Sequence, residues 1–335
     1  MQKDFHYYGI YVLACCTGFN RDDARVIAYS SQYVDDSTES EPINVGDFVF
    51  DTVRTAHFGL TSYTWGVQKK VYIPFHFLPP VPLSPSQSKF SYVTKPNSHF
   101  AKQLLEEACQ DNSDLRLYRI GIALHTFADT WAHREFSGRF NEENDVEAIH
   151  VWKNERWKHL FIENFSLDLF PEIGHAEAGY YPDLPFQKWK YKNYKRREVP
   201  RDNRKEFLKC AKEIFDRLVV IPKVKGKPPV DWKVLKNRIE KLLSLGNRDC
   251  EKRCQNWKSK FSEFFVSPKD DYEKTAWRRE ALKAKDISDY DWDALAPERL
   301  KSLRFSRKRD FFDSNWVRFH RAAFLQRFFV LLNLM

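Results

Sequence analysis

The chain has 335 residues with a net charge of +9; 16% of the residues are aromatic and only 11 are glycine. Few glycines and many charged residues favour a helical protein over a sandwich of short strands, so we expect an all-α fold with long irregular loops. The positive charge favours anionic partners, namely nucleic acid, nucleotides or anionic lipid head groups, and the absence of a long apolar run excludes a transmembrane segment.

The first segment, residues 4–17, has the apolar spacing of a helix, and His6 lies near its start. Within it, VLAC at residues 12–15 matches the site at which bacterial lipoproteins are cleaved before a cysteine, here Cys15. The preceding residues lack the net positive charge and long apolar run of a signal peptide. We therefore expect an intact cytoplasmic N-terminus, with lipoprotein-type export through Cys15 as the alternative. The six cysteines form no CxxC motif, which favours free thiols.

A second helix is predicted to begin after Asn20, a typical capping residue, and to end at Asp35 and Asp36. Two adjacent carboxylates at a helix C-terminus face the negative end of the helix dipole. A cation would relieve this repulsion, so both residues are candidate metal-site groups.

Two histidines follow in the next part of the chain. Residues 48–60 predict a helix that contains His57, and the apolar run VYIPFHFLPP places His76 between bulky side chains. His76 is either a ligand or a buried histidine hydrogen-bonded to the backbone. Residues 78–97 are rich in proline and serine and predict an irregular loop.

The central pattern of the sequence lies in residues 117–136, which carry His125, Asp129 and His133 at spacings of four. On an α-helix these side chains share one face, with the outer two about 12 Å apart along the axis. One ion cannot span that distance, but a carboxylate has two oxygens. The spacing therefore favours Asp129 bridging one metal held by His125 and another held by His133. The alternative is a set of hydrogen-bonded core residues.

Residues 146–165 have apolar side chains at helical spacing and predict another helix, on which His150 and His159 would be packing or surface residues. Residues 171–189 predict an irregular segment that contains His175 and Asp183. A histidine in such a segment needs an anchor, which a metal would supply.

A basic strip covers residues 188–205, with nine Lys and Arg against Glu198 and Asp202. Its aromatic residues Trp189, Tyr191 and Tyr194 suggest stacking platforms beside phosphate-binding groups. The alternative is a solvated loop or hairpin. The candidate substrate-binding residues are Lys192, Tyr194, Lys195, Arg196 and Arg197.

Beyond the strip the pattern is helical, with predicted helices at 203–221, 231–246, 248–266 and 270–285 and a last apolar helix that begins near residue 314. We find no internal repeat and predict a single domain over residues 1–335. A partly separable C-terminal helical part from about residue 206 is the alternative.

The motifs DFHYY, SQYVDD, IPFHFLP, HxxADTWAH and GHxxAxxxPDLPF occur in this order from residue 4 to about residue 215. In these motifs the chain resembles an uncharacterised bacterial family. More distantly, it is similar to the zinc-dependent phospholipase C and single-strand-specific nuclease superfamily, whose members are all-α phosphodiesterases with three clustered zinc ions. The metal ligands that this resemblance implies are His6, Asp35, His76, His125, Asp129 and His133, with His175 in place of a later histidine.

The chain departs from that superfamily in two ways. Its three residues between Asp129 and His133 are fewer than the superfamily has there, and the superfamily's last pair of His and acidic ligands is missing. Candidates for the missing ligands are Asp4, Asp36, His57 and Asp183.

These observations predict a metal-dependent phosphodiester hydrolase with two or three zinc ions, or other divalent metals, and a metal-activated water as nucleophile. Asp35 or Asp36 would orient that water or act as base. Nucleic acid or nucleotides are the expected substrates, and phospholipid head groups are the second choice. The alternative from another class is a binding protein in which metals only stabilise the fold. Structural zinc commonly has closed sets of four ligands with cysteine, whereas the candidates here are His and Asp.

Overall fold

Helices form most of the chain that the computed structural model describes, which comprises residues 1–56, 63–80, 92–159, 173–223, 226–288 and 297–334. The helices are α1 (Ile10–Cys16), α2 (Arg21–Asp36), α3 (Trp65–Val67), α4 (Ile73–Phe75), α5 (His99–Gln110), α6 (Arg116–Ala132), α7 (Asn203–Val220), α8 (Trp232–Leu243), α9 (Cys250–Lys260), α10 (Ala276–Ala281), α11 (Ala284–Ser288), α12 (Pro297–Ser302) and α13 (Asn315–Asn333). A π-helical turn, Asp4–Gly9, leads directly into α1.

The structure also contains two β-sheets, so the prediction of an all-α fold is wrong. Helices contain 54% and strands 12% of the described residues, so the fold is a mixture of α and β. The strands are β1 (Ile43–Val45), β2 (Phe48–Phe50), β3 (Val146–Lys153), β4 (Arg156–His159), β5 (Lys188–Asn193), β6 (Glu198–Asp202) and β7 (Arg304–Phe305). The first sheet has the order β2-β1-β7 and the second the order β4-β3-β5-β6.

The β3–β4 hairpin of the second sheet occupies residues 146–159 of the segment that we predicted as a helix at 146–165, and residues 160–165 are outside the described residues. Ile149, Trp152 and Trp157 happen to fit helical spacing, and a bulge between Glu147 and His150 breaks the two-residue alternation of β3. The local feature that marks a hairpin here is its turn. Asn154 and Glu155 both have positive φ, as the tight turn between β3 and β4 requires.

Two further corrections concern the first sheet and the basic strip. The helix predicted over 48–60 is absent from its described part, where β2 pairs antiparallel with β1. Residues 188–202 of the basic strip form the β5–β6 hairpin, and residues 203–205 begin α7. Trp189 and Tyr191 of the hairpin are buried in the core between the sheet and the helices, so they are not stacking platforms.

The main hydrophobic core brings both ends of the chain together around α2 and α6. Buried residues of α1, α2 and α6 share this core with α7–α10 and α13, which contribute Phe207, Ile239, Trp257 and Phe319. The predicted helix start at Asn20 agrees with the structure, where the side chains of Asn20 and, before α5, of Ser98 each accept a hydrogen bond from the first helical turn. No helix of the described residues has the length and apolarity to cross a membrane.

The closest approach of α2 and α6 is at Gly121. A Cβ atom there would lie 2.2 Å from the carbonyl oxygen of Ile27 and 2.6 Å from Cβ of Ser30. Because both helices carry residues of the candidate site, this contact also sets the distance between Asp35 and His125.

We expect Gly121→Ala to destabilise the protein by about 3 kcal/mol, since the two helices must separate to admit the methyl group. Urea unfolding measures the change. Gly66→Ala is the matched control, because a Cβ at Gly66 meets nothing within 4 Å. Equal midpoints for both variants would contradict the packing described here.

Candidate metal centre

Eight of the nine predicted metal ligands lie in three groups, two of which share His125, and in each group the ligand atoms are within 4.8 Å of one another. The groups are group A (Asp35, His76, His125), group B (His6, His125, Asp129) and group C (His133, His175, Asp183). The ninth predicted ligand, His57, is outside the described residues.

Group A has the dimensions of a metal site. Nδ1 of His76, Nε2 of His125 and Oδ2 of Asp129 form a triangle with all three sides 3.2 Å long. Ligand atoms about 2.05 Å from a tetrahedral zinc ion are about 3.3 Å apart. Oδ1 of Asp35 lies 3.6 Å from the His125 nitrogen and 3.9 Å from the His76 nitrogen, so it completes a set of four donors.

Groups A and B share His125, and Asp129 contacts both groups, with Oδ2 at the nitrogens of group A and Oδ1 at His6 of group B. Oδ1 of Asp129 is 3.0 Å from Nε2 of His6, and the His6 and His125 rings stack with their centroids 3.9 Å apart. The π-helical turn Asp4–Gly9 positions His6. Asp129 thus connects groups A and B. We predicted that it would connect ions at His125 and His133, but Nε2 of His133 faces Asp183 instead.

The α-amine of Met1 also lies in the cluster, which the sequence analysis did not anticipate. It is 2.7 Å from Oδ1 of Asp129 and 3.1 Å from Oδ1 of Asp183, and it is fully buried. Burial lowers the pKa of this amine, but the two carboxylates outweigh that effect and raise the pKa to about 11. The amine therefore stands as a cation between groups B and C.

Group C is built from the end of α6 and the irregular segment after the second sheet's first hairpin. Nε2 of His133 and Nε2 of His175 each lie 3.4 Å from an oxygen of Asp183. Gly174 allows the backbone beside His175 to lie against the Phe77 ring, because it has φ +58° and a Cβ atom there would lie 2.4 Å from that ring. Phe77 in turn stacks on His133 with ring centroids 4.6 Å apart.

Backbone carbonyls fix which nitrogen of three histidines carries the hydrogen. A carbonyl oxygen only accepts, so Nε2 of His76 donates to Thr55 (2.8 Å), and Nδ1 of His133 donates to His76 (3.0 Å). Nδ1 of His175 likewise donates to Gly179 (2.9 Å). The other nitrogen of each neutral ring then presents its lone pair to an aspartate. Carboxylate oxygens also have only lone pairs to offer, so either a proton or a metal ion has to lie between the nitrogen and the oxygen.

The pKa shifts of four groups favour the ionisation states that metal ligands need, whereas Asp129 raises the pKa of His76 and favours its protonated form when no metal is bound. Burial lowers the pKa of His6 well below its usual range, with the charge of His125 adding to the effect, and burial also lowers the pKa of His175. Burial opposes ionisation of Asp129 and Asp183, but surrounding histidines and the α-amine hold the pKa of both well below the usual range. Neutral imidazoles and ionised carboxylates are the forms that bind divalent metals.

The opening of the cluster lies on the side of Asp35. The side chains of His6, His125 and Asp129 are almost completely buried, whereas that of Asp35 is 28% exposed. Desolvation in this partly closed site raises the pKa of Asp35 to about 6.

Two other predicted groups lie elsewhere. Asp36 accepts hydrogen bonds from Tyr272 (2.6 Å) and Gln32 (3.0 Å) and belongs to none of the groups found among the described residues. Asp4 is paired with Arg253 at 2.8 Å. Both carboxylates therefore anchor C-terminal segments to the N-terminal helices.

The candidate substrate-binding residues are all on the β5–β6 hairpin. Lys192 is on β5, and residues 194–197 form the turn, in which Lys195 lies 5.0 Å from the Tyr194 ring centroid. Their role in substrate binding stays a prediction.

Arg201 of β6 supports the end of the ligand-bearing helix α6, a role that its place in the basic strip did not reveal. Its guanidinium is buried and donates to the carbonyls of Trp131 (2.9 Å) and Ala132 (3.0 Å) and to Glu206. Carbonyls at a helix C-terminus have no partner within the helix. Arg201 therefore supplies one at the residues just before His133.

We expect Arg201→Met to destabilise the metal-free protein by about 3 kcal/mol, because it leaves buried carbonyls and Glu206 without their donor. It should also weaken metal binding at group C more than at group A. Urea unfolding and metal titration measure the two effects. Arg238→Met is the control, since Arg238 makes a partly exposed pair with Glu263. Unchanged metal binding in the Arg201 variant would refute the positioning role.

The comparisons with known proteins give a family but no activity. No curated protein and no solved structure matches the chain. The matching family model is DUF6765, described as a family of unknown function, and it matches residues 1–334. Because this match spans almost the entire sequence, the chain belongs to the DUF6765 family of unknown function.

Proposed function

We propose that the protein is a metal-dependent phosphodiester hydrolase whose centre holds up to three divalent ions, with zinc as the best fit, and whose substrates are nucleic acid or nucleotides. Bound at these groups, the ions would neutralise a phosphodiester and activate water for attack on phosphorus. The donor set supports zinc because it consists of imidazoles and carboxylates at tetrahedral spacing.

The observation that carries the proposal is the triangle of His76, His125 and Asp129 with 3.2 Å sides. In the neutral form of His76 the ring hydrogen is on Nε2, facing the Thr55 carbonyl, so Nδ1 offers a lone pair to Asp129. Without a metal, Asp129 raises the pKa of His76, and a proton on Nδ1 joins the two groups. A divalent ion would replace that proton and bind both donors together with His125, so the spacing supports a metal site.

The protein's own residues divide the remaining tasks. Asp35 reaches the solvent side, so it is the carboxylate that meets an entering phosphodiester and orients the attacking water. The carbonyls of Thr55, His76 and Gly179 hold the imidazoles in their ligand tautomers. The net charge of +9 attracts an anionic substrate toward the protein.

A phospholipid substrate is the alternative. It would call for an exposed apolar rim around the site. The irregular loop predicted at residues 78–97 is the candidate for such a rim, and its residues 81–91 are outside the described residues. The positive charge concentrated in the strands and turns of the second sheet favours nucleic acid.

The test uses the two neighbouring carboxylates at the end of α2. Zinc-loaded protein should hydrolyse bis-p-nitrophenyl phosphate, and chelator should abolish the reaction. Asp35→Asn should lower the rate about a hundredfold or more, because it removes a charged donor from group A. Asp36→Asn, which alters the contacts to Tyr272, Gln32 and Lys274 but none within the three groups, should retain most of the activity.

Absence of hydrolysis by zinc-loaded protein toward bis-p-nitrophenyl phosphate, single-stranded nucleic acid and lecithin would refute the proposal. Equal losses in the two variants would refute the assignment of Asp35.

A further inference from the structure

The second sheet has two different faces, and only one of them belongs to the core. Val151, Trp189 and Tyr191 point inward, where Tyr191 stacks on Phe136 beside His175. The neighbouring residues along each strand therefore point outward.

The outward face presents aromatic rings in register with lysines. Trp152 pairs with Trp157, and in the next row His150 pairs with both His159 and Lys190. The two indole centroids are 5.2 Å apart, and Trp152 is 39% exposed.

Lysines of β5 lie directly over these rings. Nζ of Lys188 is 4.6 Å from the Trp152 ring centroid and 5.7 Å from that of Trp157, and Nζ of Lys190 is 5.1 Å from that of Trp157. A lysine ammonium on its flexible four-carbon chain can leave an indole face and turn toward another anion. The face thus offers both ring surfaces and mobile positive charge.

The sheet carries most of the net charge of the chain. Residues 146–159 and 188–202, which span its four strands and two hairpin turns, contain ten Lys and Arg against four Asp and Glu. Their net charge of +6 is two thirds of the total of +9. A polyanion is therefore the partner that complements this surface.

We infer that the outward face of the second sheet binds single-stranded nucleic acid, with bases stacked on Trp152 and Trp157 and the phosphate backbone held by Lys188 and its neighbours. Stacking on exposed rings requires bases that are not already paired and stacked in a duplex. Lysines beside the rings then meet the phosphates that follow each base. This face is separate from the candidate metal centre, which lies beyond the inward face.

The inference rests on the proposed function, because that function gives the binding its purpose. The sheet would hold a nucleic-acid strand while another phosphodiester of the same strand reaches the metals. Binding itself can be measured without hydrolysis. Protein treated with chelator is titrated against a fluorescent oligothymidylate of about 20 nucleotides at low salt, by anisotropy and by tryptophan quenching.

We expect Trp152→Ala and Trp157→Ala each to weaken binding about tenfold, the effect of removing one stacking ring. Trp152→Phe, which keeps a ring, should recover most of the affinity. Lys188→Gln should reduce the slope of log affinity against log salt by about 0.7, as expected for one lost phosphate contact.

The matched control is Phe312→Ala, which removes an exposed ring that also lies under a cation, Arg307, but outside the second sheet. It should bind like the unaltered protein, and melting curves show whether each variant is folded. The inference is overturned if the unaltered protein does not bind the oligonucleotide, if a duplex of the same length binds equally tightly, or if the control loses as much affinity as the tryptophan variants.

The two proposals fail separately. Hydrolysis of bis-p-nitrophenyl phosphate without binding of the oligonucleotide would remove only the sheet inference. Binding that depends on Trp152, together with no phosphodiester hydrolysis by zinc-loaded protein, would remove only the proposed activity.

Discussion

Replacing Asp129 with Asn is expected to reduce the bound metal from three ions to one and to lower phosphodiester hydrolysis about a thousandfold or more. Oδ1 of Asp129 serves group B and Oδ2 serves group A, so one substitution affects both. An amide has one oxygen and no charge, and several kcal/mol of charge stabilisation correspond to a rate factor of this size. Group C, built on Asp183, should keep its ion.

Elemental analysis of the purified variant measures the metal content, and bis-p-nitrophenyl phosphate measures the rate. Asp36→Asn is the control, because it makes the same chemical change at a carboxylate that belongs to none of the three groups. A variant that lost its activity but kept three ions would show that Asp129 does not bridge. A variant that kept both its activity and its three ions would show that Asp129 is needed neither for metal binding nor for hydrolysis.

The part of the centre that could be predicted from the sequence is the part encoded by local spacing. His125, Asp129 and His133 lie on one helix, and Asp35 ends a helix whose capping residue, Asn20, is itself a local signal. The pairing of His133 with Asp183 joins residues far apart in the chain, so spacing alone led us to pair it with Asp129 instead.

Residues that act through the backbone were not predictable in the same way. The Thr55 carbonyl orients His76, and the Thr55 hydroxyl donates to Val34 near the end of α2 (2.7 Å). Nothing in the identity of a threonine indicates what its carbonyl will contact. Arg201 is a similar case, because in the sequence it is one of nine basic residues, and only burial at the end of α6 distinguishes it.

The first hairpin of the second sheet was missed for a physical reason. In β5 the lysines alternate with Trp189 and Tyr191, which both face the core, but in β3 a bulge interrupts the apolar-polar alternation that marks a half-buried strand. Trp189 and Tyr191 are inside while Trp152 is partly exposed, although all three have similar hydrophobicity. Register, which sequence alone does not provide, decides which rings are available to a ligand.

The second large effect that we expect is on stability. Removing the metals with a chelator should lower the melting temperature by about 10–20 °C, since each ion at about a thousand times its dissociation constant contributes about 4 kcal/mol. Without metal, the lone pairs of His76, His133 and His175 face ionised carboxylates, because backbone carbonyls already hold their hydrogens. The fold must then protonate buried imidazoles or let the ligand segments separate.

Differential scanning calorimetry with and without chelator measures the shift, and stepwise addition of zinc should restore it. The Asp129→Asn variant provides the control, because it retains only group C and should recover about a third of the shift. The segment that carries His175 and Asp183 should lose protection in hydrogen exchange before α6 does, since it is irregular and depends on group C for its anchor. Identical melting temperatures with zinc and with chelator would mean that these residues hold no metal in the folded protein, and the proposed hydrolysis would lose its chemical basis.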